Sequence, residues 1–185
     1  MADITLSSGN ICRPYRSPWG SFPIRGFTIS TGISSNVIAL GRVVSLDVNT
    51  ATNGSRILPS SQTAGVVMST AIIGVAAEAV SSNDSTTATD RVIPVWEANP
   101  QVEFRANTQG AVLASSQIGI NKALVWDSTL TIHKVDLSNS TLINVRVTIT
   151  QLIDAIGDSG GAVALRFLAS DPSASTNNML GLYRG

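Results

Sequence analysis

The residues with the clearest capacity for chemistry are the five of segment 157–161, Gly-Asp-Ser-Gly-Gly. This string matches the nucleophile turn of triad serine proteases, in which glycines let backbone N–H groups form an oxyanion hole. Such an enzyme needs a histidine base far upstream of the serine, with an aspartate between them. The only histidine, His133, lies too close to Ser159 to leave room for the intervening barrel. The string is also typical of a hairpin turn. We therefore predict no enzyme and keep a serine hydrolase as a distant third hypothesis.

The remaining residues give little support to metal or cofactor chemistry. One histidine and one cysteine, Cys12, exclude the usual zinc sites and any disulfide framework within the chain. The sequence contains no acidic calcium loop and no glycine-rich phosphate loop. Glu97 and Glu103 could be read as a glycosidase pair, but two exposed strand-end glutamates are the simpler interpretation. We expect no catalytic residue, no metal and no cofactor.

The charge composition indicates a chain whose surface is largely covered by partners. Charged residues make up 13% of the sequence, against roughly 25% in an average soluble domain. Lys122 and Lys134 are the only lysines, so arginine supplies ten of the twelve positive charges. Arginine is enriched and lysine depleted in interface cores, although an amino-acid bias of the lineage would give the same skew. The formal net charge is zero, so we expect no nucleic-acid partner.

Residues 1–35 are predicted to form an extended docking arm. Prolines at positions 14, 18 and 23, with glycines between them, exclude a helix. A proline-stiffened segment loses little entropy on docking, and arginine and aromatic side chains are the usual interface anchors. The predicted capsid-docking residues are Arg13, Tyr15, Arg16, Trp19, Phe22, Arg25 and Phe27. The alternative is a strap across the protein's own core.

Residues 36–168 are predicted to form a β domain. Short β-branched runs alternate with turn residues, and the clearest alternation is in segment 141–150. The predicted strands are 37–48, 57–59, 66–68, 72–77, 91–96, 102–106, 111–114, 123–126, 129–135, 142–152 and 162–168. The fold prediction is a mostly-β protein, a small antiparallel β-sandwich or barrel with an extended N-terminal arm. Alanine-rich segment 70–80 is the main place where a helix could form instead of a strand.

Three further expectations concern the rest of the chain. Segment 64–80 is the most apolar, but its glycines and a glutamate favour a buried strand over a membrane span. Residues 169–185 are expected to form a polar tail with an apolar end, where Leu180, Leu182 and Tyr183 could make a further contact. We find no internal sequence repeat of fixed period.

The chain resembles the head-decoration, or cement, proteins of tailed phages. The segments that carry the resemblance are 72–78 (IIGVAAE), 91–100 (RVIPVWEANP), 102–106 (VEFRA) and 117–119 (QIG). The similar region covers roughly residues 40–168. These are hydrophobic patterns and not catalytic signatures, so the resemblance brings no catalytic residue with it.

The resemblance implies a small β-barrel or sandwich, often trimeric, that binds the outside of an expanded capsid and stiffens the junctions between capsomers. The implied partners are the major capsid protein and further copies of the chain, as a trimer or a dimer, with no membrane. The implied location is the outer capsid surface of the virion, after synthesis in the host cytoplasm. The alternative is another virion component, a head fibre or a tail-tube subunit.

Overall fold

The computed structural model describes residues 12–29, 38–46, 56–60, 72–80, 91–130, 132–140 and 145–168. These ranges contain eleven β-strands and one 3-10 turn at Ser115–Gln117. The strands are β1 (Arg13–Arg16), β2 (Ile24–Ile29), β3 (Val43–Leu46), β4 (Arg56–Pro59), β5 (Ile72–Ala76), β6 (Val92–Glu97), β7 (Glu103–Gln109), β8 (Asn121–Asp127), β9 (Ile132–Asp136), β10 (Val145–Leu152) and β11 (Ala162–Phe167). The prediction of a mostly-β fold is confirmed.

Strands β2 to β6 close into one barrel, here called the N-terminal barrel. Their order around the ring is β2-β4-β3-β5-β6. Four neighbouring pairs are antiparallel, and a short parallel pairing of β2 with β4 closes the ring. Alternate side chains of a strand face opposite sides of a sheet. One side is therefore free to fill the interior with a cluster that includes Ile57, Ile73 and Ile93.

Strands β7 to β11 form a second ring, here called the C-terminal barrel. The sheet order is β1-β7-β11-β10-β8-β9, and β7 also pairs with β9. Four pairs in this ring are antiparallel, whereas β7 and β9 run parallel, with Thr108 opposite Val135. Strand β1 is added outside the ring, antiparallel to the first half of β7.

The two barrels have the same topology. When the five strands of each are numbered along the chain, the first is followed around the ring by the third, second, fourth and fifth. In both barrels the one parallel pair joins the first strand to the third. The repeat therefore lies in strand order and not in a residue pattern of fixed period. One difference is that, among the described residues, no strand lies beside β2 where β1 lies beside β7.

A β-bulge lets strand β5 contribute side chains to the cores of both barrels. The register between β3 and β5 shifts between Val44 and Ser45, and such shifts re-aim side chains. As a result, Ile73 and Val75, which an unbroken strand would place on one face, pack in different clusters. Ile73 lies in the N-terminal barrel, whereas Val75 packs with residues of the C-terminal barrel such as Phe104.

Two of the predicted segments change their interpretation. Segment 111–114 lies in an irregular connection, where Val112 makes only an isolated bridge, so the prediction of a strand there is wrong. In segment 70–80, residues 72–76 form β5, which is buried along its whole length. The described part of this segment therefore contains a strand and no helix. Within the described ranges, no helix is long and apolar enough to cross a membrane.

The described part of the predicted arm, residues 12–29, is extended but packs on its own chain. Strand β1 pairs with β7, and β2 pairs with β6 along five residues. We therefore assign β2 to the β domain. These residues pack across their own chain, as the strap alternative expects. Docking on another chain stays a prediction. Residues 1–11, 30–37 and 169–185 lie outside the described residues.

Candidate functional site

The Gly-Asp-Ser-Gly-Gly segment forms part of the β10–β11 connection. Ser159 is exposed and bridges to Val112. Gly157 and Gly160 have φ angles of +96° and +74°, in the left-handed region that favours glycine. The Asp158 carboxylate accepts a hydrogen bond from the Ala155 N–H at 3.1 Å. The residues of this string are therefore those that a tight turn requires.

His133 lies in a different environment, at the junction of the two barrels. It is 1% exposed, and its Nδ1 accepts a hydrogen bond from the Val43 N–H at 3.3 Å. Its ring lies 4.9 Å from that of Trp126. Because Ser159 is exposed on a loop while His133 is buried with one ring nitrogen already engaged, the serine protease geometry gains no support.

The other candidate chemical groups also have structural roles. The prediction that Glu103 is exposed is wrong: it is largely buried and accepts a hydrogen bond from Arg166 at 3.1 Å. Burial raises the pKa of the Cys12 thiol to about 12, which keeps it protonated and unreactive at neutral pH. Among the described residues, no group of three or more His, Cys, Asp or Glu side chains is placed to hold a metal ion.

The predicted docking residues divide into two sets. Arg13, Arg16 and Trp19 are exposed, with Trp19 at 55%. Phe27, by contrast, is buried within the N-terminal barrel, where its side chain packs on its own chain. Phe22 is partly buried against the cluster that contains Val75 and Phe104.

The remaining predicted contacts have mixed positions. Tyr15 is half-buried on β1, and Arg25 is exposed with its guanidinium 5.3 Å from the Phe27 ring. Leu180, Leu182 and Tyr183 lie outside the described residues.

A β-bulge in β1 brings Arg16 to the same face of the sheet as Arg13. Arg13 is opposite Arg105 of β7, and the register then shifts so that Arg16, and not Tyr15, is opposite Glu103. Without the extra residue, strict alternation would turn Arg16 to the other side. The bulge thus places both arginines on the outer side of the sheet.

Two further arginines extend this set. Arg105 is opposite Ala164 of β11. Because the two strands are antiparallel, Arg166, two residues after Ala164, lies beside Glu103, two residues before Arg105. We call the set Arg13, Arg16, Arg105 and Arg166 the arginine face. Arg166 pairs with Glu103, whereas Arg13, Arg16 and Arg105 form no salt bridge with any described residue. Like charges directly opposite each other weaken a strand pair, and the Nε of Arg105 is buried with no hydrogen-bond partner.

One end of the arginine face opens into a cleft of about 570 Å³. The lining residues are Arg16, Ser17, Pro18, Trp19, Gln101, Glu103 and Arg166. The cleft therefore combines an exposed indole with two guanidinium groups, and only one of these is paired with a carboxylate inside the cleft. Arg16 stacks near the Tyr15 ring, at 4.8 Å from its centroid.

Arg105, Arg166 and Gln101 belong to this site but were not predicted from the sequence. A signal was available for Arg105, because polar residues occupy every second position of β7, at 103, 105, 107 and 109. Arg166 interrupts an otherwise apolar β11, and no local pattern links it to the N-terminal segment. Comparison with protein-family models, with curated proteins and with solved structures gives no match for this chain.

Proposed function

We propose that the protein is a non-enzymatic structural subunit that binds the outer surface of a phage capsid and stabilises contacts between major capsid subunits. The observation that carries the proposal is the exposed Arg13–Arg16–Trp19 segment, held on the edge of a closed barrel. Arginine and tryptophan are the residue types that dominate binding energy at interfaces. The resemblance to cement proteins supplies the kind of partner.

The position of β1 favours tight docking. Ordering a loose segment on binding reduces affinity, whereas a segment already fixed in its bound shape avoids that cost. Strand β1 is held by its pairing with β7. Cys12, the residue just before it, is buried in the cluster that contains Val75 and Phe104. A ligand that binds only the assembled shell stabilises that shell by mass action.

Exposed apolar side chains also support a partner-covered surface. Large hydrophobic residues stand exposed in the β7–β8 and β10–β11 connections, and exposed apolar surface is available to partners. These residues are Val112, Ile118, Ile120 and Ile156. The proposal includes self-association, with a trimer favoured over a dimer, and a location on the virion surface.

The test is the copy number of the protein on purified particles, measured by quantitative mass spectrometry against the major capsid protein. A copy number comparable with that of the capsid subunit, with weaker shells after its removal, supports the proposal. A few copies per particle would favour a head fibre or tail-tube subunit instead. Absence from the particles would overturn the virion assignment. Deleting residues 1–30 is no substitute for this test, because it removes β2 and opens the N-terminal barrel.

A further inference from the structure

The arginine face has more positive charge than its own carboxylate balances. It contains four arginines, of which Arg166 pairs with Glu103 at 3.1 Å. The other three have no acidic partner among the described residues. The buried Nε of Arg105 lacks a hydrogen-bond acceptor, and a buried donor left unsatisfied is costly. An external carboxylate bound to the exposed guanidinium groups of Arg13 and Arg16 would relieve the repulsion.

We propose that the arginine face and its cleft bind an acidic segment of a partner protein. Carboxylates dock against Arg16 and its neighbours, and an apolar side chain of the same segment packs on the Trp19 indole. Guanidinium groups match planar carboxylates through paired hydrogen bonds. The identity of the partner as a capsid subunit rests on the proposed function, whereas the chemistry of the site does not.

The geometry favours a short acidic peptide over a nucleic acid. A nucleic acid is bound along its phosphate backbone by many cations spread over a long track. Here the arginines lie on three adjacent strands, and Glu103 places a carboxylate inside the cleft. Glu103 occupies Arg166 and so interrupts a continuous track of phosphate-binding cations, whereas Arg13 and Arg16 remain without an acidic partner among the described residues and can each bind a single carboxylate.

The bulge in β1 is the feature that builds the site. It costs one regular strand pairing between Pro14 and Arg16, and bulges often re-aim a side chain beside a functional site. Its effect here is to move Arg16 next to Glu103 and into the cleft with Trp19.

The experiment uses the full chain and a blocked glutamate-rich peptide that carries one phenylalanine, with binding followed by fluorescence anisotropy. We expect measurable binding at low salt, a loss of about tenfold in Arg16→Gln, and a further loss when Arg105→Gln is added. Arg91→Gln, which removes an equal charge from an arginine paired with Glu78, is the matched control and should bind like the parent protein. The melting temperature of each variant confirms that it is folded.

The outcomes separate this proposal from the proposed function. Equal binding of the glutamine counterpart of the peptide, or of single-stranded DNA of matched charge, would overturn the assignment to an acidic peptide. Equal weakening by Arg91→Gln would overturn the assignment to this face. If the peptide binds as expected but the chain is absent from particles, the site stands and the capsid assignment fails. If the chain decorates shells and Arg16→Gln binds them unchanged, the capsid assignment stands and the assignment of the arginine face as its docking site fails.

Discussion

Val43 of the N-terminal barrel donates its backbone N–H to the Nδ1 of His133 in the C-terminal barrel, at 3.3 Å. A ring nitrogen that accepts a hydrogen bond carries no proton, so this bond assigns the ring N–H of His133 to Nε2. The preceding residue, Arg42, places its guanidinium 4.3 Å from the centroid of the Trp126 ring. Burial lowers the pKa of Arg42 to about 10. Two consecutive residues of the N-terminal barrel, Arg42 and Val43, therefore contact two neighbouring rings of the C-terminal barrel, Trp126 and His133.

The first prediction concerns this junction. His133→Leu leaves the buried Val43 N–H without its acceptor, which should reduce the free energy of unfolding by about 1–3 kcal/mol. His133→Asn, which keeps an acceptor at the position of Nδ1, should recover about 1 kcal/mol of that loss. Urea denaturation followed by tryptophan fluorescence measures both values. Equal stability of the two variants would mean that packing, and not the hydrogen bond, is what His133 contributes.

The second prediction concerns the pH dependence that Cys12 gives to stability. Burial raises the thiol pKa from 9.0 to about 12 in the folded protein. The unfolded chain therefore loses this proton first, so the stabilisation is fully present below about pH 9 and is lost as the pH rises towards 12. We expect the stability of the parent protein, relative to Cys12→Ala, to fall by about 1 kcal/mol between about pH 9 and pH 10. Urea unfolding with a reductant present measures it, and parallel pH profiles of the two proteins would contradict the prediction.

The third prediction separates a turn from a nucleophile. Ser159→Ala should change the free energy of unfolding by less than about 0.5 kcal/mol, because the side chain is exposed. Gly160→Ala should cost about 1–2 kcal/mol, because φ is +74° at this position. A fluorophosphonate probe should label neither the parent protein nor Ser159→Ala. Labelling of the parent that disappears in Ser159→Ala would instead restore the serine hydrolase hypothesis.

Much of the β domain could be predicted from the sequence because its strands are short and locally patterned. The clearest case is β10, where Val145, Val147 and Ile149 are buried and Thr148 and Thr150 are not, as alternation predicts. Arg146 departs from the pattern, since it is buried and donates to the Val145 carbonyl oxygen at 2.8 Å. Strand β5 was also recognisable, because an unbroken apolar run is typical of a fully buried strand.

The arrangement of these strands required information that no local pattern contains. Proline at position 14 cannot donate a hydrogen bond to a neighbouring strand, yet it is tolerated in β1 because β1 is at the edge of its sheet. The parallel pairings that close the barrels join segments far apart in the chain. The arginine face depends on a one-residue bulge and on Arg166, which is distant in sequence from Arg16. Arginines and aromatics indicated a docking surface, but only the register shows which of them share it.

The last prediction compares two glycines of the N-terminal barrel, at which an added Cβ atom would meet different neighbouring atoms. At Gly74 of β5, a Cβ atom would fall on the backbone carbonyl oxygen of Trp96 in the paired strand β6. Gly26 of β2 is the matched case, because its added Cβ would meet only the side-chain Cγ1 of Val92, at 2.7 Å.

Backbone cannot move aside without separating β5 from β6, whereas an exposed valine can change its rotamer. Gly74→Ala should therefore lower the free energy of unfolding by about 3 kcal/mol, and Gly26→Ala by less than about 1 kcal/mol. Hydrogen exchange should show the loss of protection in Gly74→Ala concentrated in β5 and β6, with β8 to β11 less affected. If both variants lose the same stability, the close backbone approach at Gly74 does not limit the barrel.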